Sequence, residues 1–144
     1  MKPKESVCFN IKSSWQIISR MYNTIGAPFE LSAAMGYILL NIDQTEGSTA
    51  TQVGSLIGIE STSFSRMLKT LEDKKLIYKK QDKSDRRMMK IYLTEEGKTK
   101  REISKKTVKT FNKKVREEIS EEKMDVFFEV MKKINKIAET NYND

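Results

Sequence analysis

Ile11, Trp15, Ile18, Tyr22 and Ile25 recur at alternating intervals of four and three residues, with polar side chains between them. That is one stripe of a helix, predicted over residues 6–25 and stopped by Gly26 and Pro28. Ser32 then stands as the cap of a second helix, through Leu40, that is apolar nearly all round and therefore expected to be buried. Asp43 to Ser48 is a polar loop. A short third helix follows, with Thr49 as its N-cap and Ala50, Val53, Leu56 and Ile57 as its apolar positions. Gly58 breaks it, and Ile59-Glu60-Ser61 leads into a fourth helix running to about Lys74. Phe64, Leu68 and Leu71 form the predicted buried stripe there, with Met67 beside it. Ser61, Thr62, Ser65, Arg66, Lys69 and Thr70 occupy the opposite face. Two short helices joined by a glycine-containing turn match a helix-turn-helix.

The period then changes. Leu76-Ile77-Tyr78 and Met88 to Leu93 are short runs rich in β-branched, aromatic and other apolar residues, separated by the charged stretch DKSDRR, residues 82–87. This reads as a β-hairpin with a long loop that contains no glycine and is not built for tight closure. Its tip carries Lys83, Arg86 and Arg87, and two readings of it are open: a solvated protrusion, or a contact for phosphate. Thr94 caps a fifth, heavily charged helix to Glu118, with Glu95 and Glu96 in the first turn where the helix dipole favours anions. A sixth, opened by Ser120, carries Met124, Phe127, Phe128, Met131, Ile134, Ile137 and Ala138 at helical spacing. The first and last helices lack an evident partner within the chain for their stripes, and both are expected to be dimerisation surface. No repeat, linker or low-complexity segment interrupts the 144 residues, so a single domain spanning 1–144 is expected.

Charge changes this picture more than composition does. The net charge is +7, but residues 1–59 hold four basic and four acidic side chains, which cancel. Residues 60–90 hold ten basic against five acidic, and residues 98–118 nine against three. A basic stripe centred on the fourth helix and the hairpin is the electrostatic footprint of a nucleic-acid binder; a plain solvated face is the competing reading. Histidine is absent and there is one cysteine, Cys8. No His-based catalysis, nucleophile–base pair, usual zinc site or intrachain disulfide is expected, and no cofactor. No apolar run approaches a membrane span, no signal-peptide pattern opens the chain, and a cytoplasmic protein is expected.

Two stretches resemble the MarR family of winged-helix transcription regulators. DKSDRRMMKIYLTEEG is similar to the family's wing signature, with Asp82, Asp85, Arg87, Leu93, Thr94 and Gly97 in matching positions. IGIESTSFSRMLKTLEDKKLI is similar to the run that precedes the wing. The resemblance implies a mainly α fold with a small β-hairpin wing. A winged helix-turn-helix DNA-binding lobe would span about residues 31–97, with dimerisation helices at about 6–25 and 98–142. It also implies a homodimer, sequence-specific on a pseudo-palindromic double-stranded DNA operator, acting most often as a repressor and released by a small-molecule or oxidant signal. On that reading Ser61, Thr62, Ser63, Ser65 and Arg66 lie nearest the bases, with Lys69 and Thr70 toward the DNA backbone. For Ser61 and Thr62, helix capping is an equal alternative. Asp82 and Asp85 brace the wing, while Lys83, Ser84, Arg86 and Arg87 face DNA.

Two departures stand out. Ser84 occupies the place of an arginine usual in the family, so that either Lys83 or Arg86 takes over its role or minor-groove contact is weaker, and Lys75 stands where a glycine commonly ends the recognition helix. An αL conformation there would cost a lysine about 1 kcal/mol. Trp15, Tyr22, Tyr37 and Phe111 are candidates for an aromatic pocket holding a small aromatic or apolar effector, against the alternative of plain core. Cys8-Phe9, with Tyr22 fourteen residues after the cysteine, resembles the organic-hydroperoxide-sensing branch, although Lys12 and Ala33 replace two tyrosines of that branch. An unreactive small residue is the alternative for Cys8. A nonspecific architectural DNA binder and a protein-binding adaptor are the rival functions, with an enzyme the least favoured.

Overall fold

The computed structural model describes residues 1–58 and 61–142. Ile59 and Glu60, the expected lead-in to the fourth helix, lie outside the described residues. Among the described residues, six helices and one hairpin run in chain order: α1 (Val7–Gly26), α2 (Ala33–Leu40), α3 (Ala50–Ile57), α4 (Ser61–Asp73), β1 (Ile77–Gln81), β2 (Met89–Leu93), α5 (Glu95–Glu118) and α6 (Glu121–Tyr142). Single 3-10 turns at Pro3–Glu5 and Ala27–Phe29 flank α1. The fold is mainly α with a hairpin wing, as the sequence predicts.

The caps explain the boundaries. Ser32 Oγ accepts the Met35 N–H at 3.1 Å, and Thr94 Oγ1 accepts that of Gly97 at 2.9 Å. Thr49 and Gln52 cap each other reciprocally at 3.1 and 2.9 Å, so three orphan-prone ends find side-chain partners. The end of α4 is a Schellman motif: the Leu76 N–H reaches the Leu71 carbonyl and the Lys75 N–H that of Glu72, each at 2.9 Å. Lys75 sits in the left-handed region at φ 58°, the conformation its replacement of a glycine foreshadowed.

The chain divides into two compact units, residues 1–107 and 108–144. In the first, Met35, Ile38 and Leu39 of α2 meet Val53 of α3, Phe64, Leu68 and Leu71 of α4, and Leu76, Ile77, Ile91 and Leu93 around the hairpin in one buried core. Burying each such side chain contributes roughly 1.5–3 kcal/mol before entropy. The expected α4 stripe is therefore the buried one. Leu56 of α3 is not core: it is 69% exposed, because the α3 face that meets the core is centred on Val53.

The hairpin pairs Ile77 with Leu93 and Lys79 with Ile91 on one face, Tyr78 with Tyr92 and Lys80 with Lys90 on the other. Ile77, Ile91 and Leu93 point to the core, while the two tyrosines stack outside at 5.4 Å. Ser48 adds a third, one-residue rung: its N–H reaches the Ile91 carbonyl at 3.0 Å and its carbonyl accepts from Ile91 at 2.7 Å. The loop between α2 and α3 is thus sewn to the wing.

α1 belongs to the first unit and packs against α2, yet Phe9, Ile11, Trp15, Ile17 and Ile25 remain exposed. In the second unit, Arg116 and Glu121 pair across the turn between α5 and α6. Met124 is buried, whereas Val126, Phe127, Phe128, Val130 and Ile137 of α6 are exposed.

Candidate nucleic-acid interface

α4 is amphipathic in the way a groove-reading helix needs. Phe64, Leu68 and Leu71 anchor it, and Phe64 lies in van der Waals range of where a Cβ on Gly54 would stand, which fixes α4 against α3. Ser61, Thr62, Ser65, Arg66, Lys69 and Thr70 are exposed on the other side, with Ser63 half-buried at the edge. Ser61 and Thr62 are the first two described residues of α4. The Thr70 hydroxyl is engaged, donating to the Arg66 carbonyl at 3.0 Å. The Arg66 guanidinium and the Lys69 ammonium carry the positive charge of this face.

The wing tip, residues 82–88, is closed by its own hydrogen bonds. Asp82 donates its N–H to the Met88 carbonyl at 2.9 Å, and Met88 donates to that of Asp85 at 3.0 Å. The Ser84 hydroxyl donates to Asp82 Oδ2 at 2.9 Å. Lys90 Nζ stands 3.7 Å from Asp82 Oδ1. The Ser84 bond first, then the Lys90 charge and the N–H groups of Asp85 and Lys83, hold the Asp82 carboxyl below the usual carboxylate range. Arg87 donates from both its backbone N–H and its Nε to Asp85 Oδ1, at 3.0 and 3.2 Å, while its side chain stays 91% exposed. Lys83 and Arg86 are exposed without an ionic partner among the described residues. The tip therefore has an acid-braced inside and a cationic outside.

Three of the aromatic candidates, Trp15, Tyr22 and Tyr37, lie in the first unit. Trp15 and Tyr37 meet edge to face, ring centres 5.6 Å apart. Tyr22 is half-buried and its hydroxyl pKa is pushed up, by burial first and then by Tyr37. Phe111 lies on the part of α5 that belongs to the second unit and is half-buried there. Cys8 is exposed in the first turn of α1. Tyr22 follows it by fourteen residues on the same helix, which separates the two by about 21 Å, so a tyrosine of the same chain at that position does not reach the sulfur.

Residues that the sequence reading left unassigned tie this surface together. Lys90, inside the run Met88 to Leu93, donates to the Glu46 carbonyl at 3.3 Å besides facing Asp82. Strand alternation, which puts Lys80 and Lys90 on one face, was the available signal. Ser48 carried none, since a single-residue rung has no periodicity.

The MarR family model matches residues 31–89, which span α2 to the start of β2. Over those residues the chain is similar to the MarR family. The transcriptional regulator TtmR of Methylorubrum extorquens (strain PA1) is 28% identical over 91 residues, 63% of this chain and 47% of that protein, so the match spans about half the relative's length. SarZ of Staphylococcus aureus, also a transcriptional regulator, is 27% identical over 109 residues, 75% of this chain and 74% of SarZ. The transcriptional repressor CouR, solved on a 23-mer DNA duplex, superposes with a TM-score of 0.77 at 25% identity, covering 92% of this chain and 94% of CouR. CouR from Rhodococcus jostii RHA1 is also known bound to p-coumaroyl-CoA. Among the described residues no helix is long and apolar enough to cross a membrane.

Proposed function

We propose that this chain is a MarR-family transcription regulator, a homodimeric, sequence-specific binder of double-stranded DNA that represses transcription and is released by a signal. The observation that carries the reading is the exposed polar face of α4, centred on Arg66, displayed by a helix whose other face is locked into the core. An α-helix fits the major groove of B-DNA and reads base edges from its N-terminal half, where Ser61, Thr62, Ser63, Ser65 and Arg66 lie. Arg66 pairs bidentately with guanine; Lys69 and Thr70 serve phosphate. Lys83, Arg86 and the free edge of Arg87 take the phosphates beside a neighbouring minor groove. Ser84, with its hydroxyl on Asp82, stiffens the tip instead of reaching DNA. That a repressor of matching fold has been solved on duplex DNA supports the assignment.

The homodimer is supported by the uncovered apolar side chains of α1 and α6, which a second copy would bury. A twofold pair sets its recognition helices about 34 Å apart, hence an inverted-repeat operator. The Trp15–Tyr37 pair, with Tyr22 behind it, is the proposed contact for an aromatic or apolar effector. Selection of random duplex DNA by the purified protein at about 0.2 M salt, where phosphate-only binding is weakened, tests the reading. The expected result is an enriched inverted repeat with half-sites one turn apart. Retained binding without a motif sinks sequence-specific reading and leaves an architectural DNA binder.

A further inference from the structure

A cavity of about 480 Å³ opens where the end of α2 and the loop after it meet the early turns of α5. Asn41, Asp43, Gln44, Thr45, Ser48 and Arg101 supply its polar wall. The size is that of a small-molecule site, and the wall carries convergent polar groups. It is separate from α4, the wing tip and the Trp15–Tyr37 pair.

Arg101 is the unexpected member. Its side chain is 16% exposed, and its one ionic contact among the described residues is the neighbouring Glu102 at 3.4 Å from Nη1. Its Nε is buried with no hydrogen-bond partner. A guanidinium in that state is costly unless an acceptor is brought to it, because an unmet donor away from water forfeits its hydration. The opposite charge stands on the same wall. Asp43 Oδ1 accepts the N–H groups of Thr45 and Glu46, each at 2.8 Å, which keeps the carboxylate ionised and aligned. Oδ2 is left over as an acceptor.

We propose that this cavity binds a small zwitterion, its carboxylate on Arg101 and its ammonium on Asp43. A plain anion meets the Asp43 charge and a plain cation meets Arg101; a molecule bearing both matches the wall. As the guanidinium turns toward the carboxylate, Nε gains the acceptor it lacks.

The site is placed to matter. Its loop is tied to the wing by the Ser48–Ile91 rung and by Lys90 on the Glu46 carbonyl, and it runs directly into the Thr49 cap of α3. Occupation fixes the segment that holds the wing against the helix-turn-helix. Ligand and DNA affinity are then linked, and the linkage is reciprocal. The binding itself does not depend on the DNA reading.

The test is an amide NMR titration of the full chain with 6-aminohexanoate, against hexanoate and hexylamine as single-charge controls. Saturable shifts at residues 43–48 and 101, extending to Ile91, with the zwitterion binding at least about tenfold more tightly than either control, are expected. Arg101→Gln and Asp43→Asn should each weaken it about tenfold with the rest of the spectrum unchanged, Asn retaining the side-chain turn that Asp43 makes. No saturation up to about 10 mM overturns the proposal, as does equal binding of hexanoate. Unchanged affinity in both variants overturns it too.

Discussion

The Thr94 hydroxyl donates to the backbone carbonyl of Lys75 at 2.7 Å while accepting the Gly97 N–H at 2.9 Å. One side chain therefore closes the end of the recognition helix and opens α5. Behind it Gly97 is tightly enclosed: a Cβ there would collide with the Leu76 carbonyl oxygen. Thr94→Val keeps the shape and removes both bonds, and should cost about 2 kcal/mol, a cap plus a hydrogen bond. Gly97→Ala, which must push backbone apart, should cost more. Urea unfolding midpoints at constant m-value measure both.

Lys75 supplies a change in the other direction. At φ 58° it holds the left-handed cap of α4 in a conformation that disfavours any side chain, and its own is exposed. Lys75→Gly should raise stability by about 0.5–1 kcal/mol, the relief of strain exceeding the added flexibility of the unfolded chain. A lower unfolding midpoint for the glycine variant would refute this.

Asp82 makes the wing sensitive to acid. Its carboxyl is held below the usual range by the Ser84 hydroxyl first, then by Lys90 and local N–H groups. A depressed folded-state pKa contributes stability that is complete above the unfolded carboxylate pKa and is lost as pH falls through the folded value. The difference in thermal midpoint between the parent protein and Asp82→Asn should therefore be largest near neutrality and shrink below about pH 4. A difference independent of pH would remove the charge from the account.

Most of the fold was legible because its signals are local. Ser32, Thr49 and Thr94 announce helix starts by their own hydroxyls, and the Phe64-Leu68-Leu71 spacing names the buried face of α4. Lys75 was legible as an anomaly, a bulky residue at a position suited to glycine. What escaped depends on contacts distant in sequence. The apolar character of Leu56 gave no hint that α3 turns it to solvent. The Ser48–Ile91 rung joins residues 43 apart, and the cavity at Arg101 brings α5 beside a loop more than fifty residues earlier. Charge in α5 reads as solvated surface until the fold half-buries Arg101 beside that loop.

Arg66 carries the proposed base reading. Arg66→Ala should weaken binding to the selected operator by about 1–3 kcal/mol while changing affinity for unrelated duplex little, so the specificity ratio falls. Lys69→Ala should weaken both alike and reduce the salt slope by roughly one unit. Competition binding over a range of salt separates the two; equal losses on both duplexes for Arg66→Ala would assign it to phosphate.

Ser84→Arg isolates what the wing of this chain has exchanged. The serine hydroxyl now holds Asp82 Oδ2 at 2.9 Å, and the cations left at the outer tip are Lys83, Arg86 and the exposed side of Arg87. Arginine at 84 removes that bond and sets a guanidinium near the Asp82 carboxylate in its place. It also places a fourth cation where the wing meets the duplex. If the tip lies against the DNA backbone as proposed, affinity at low salt should rise, and the slope of log affinity against log salt should steepen by roughly 0.9 for one added phosphate contact. A steeper slope with unchanged specificity would mean the new side chain meets phosphate. A gain confined to operators with A-tracts beside the half-sites would place it in a narrowed minor groove. An unchanged slope would mean that a side chain at 84 meets no phosphate.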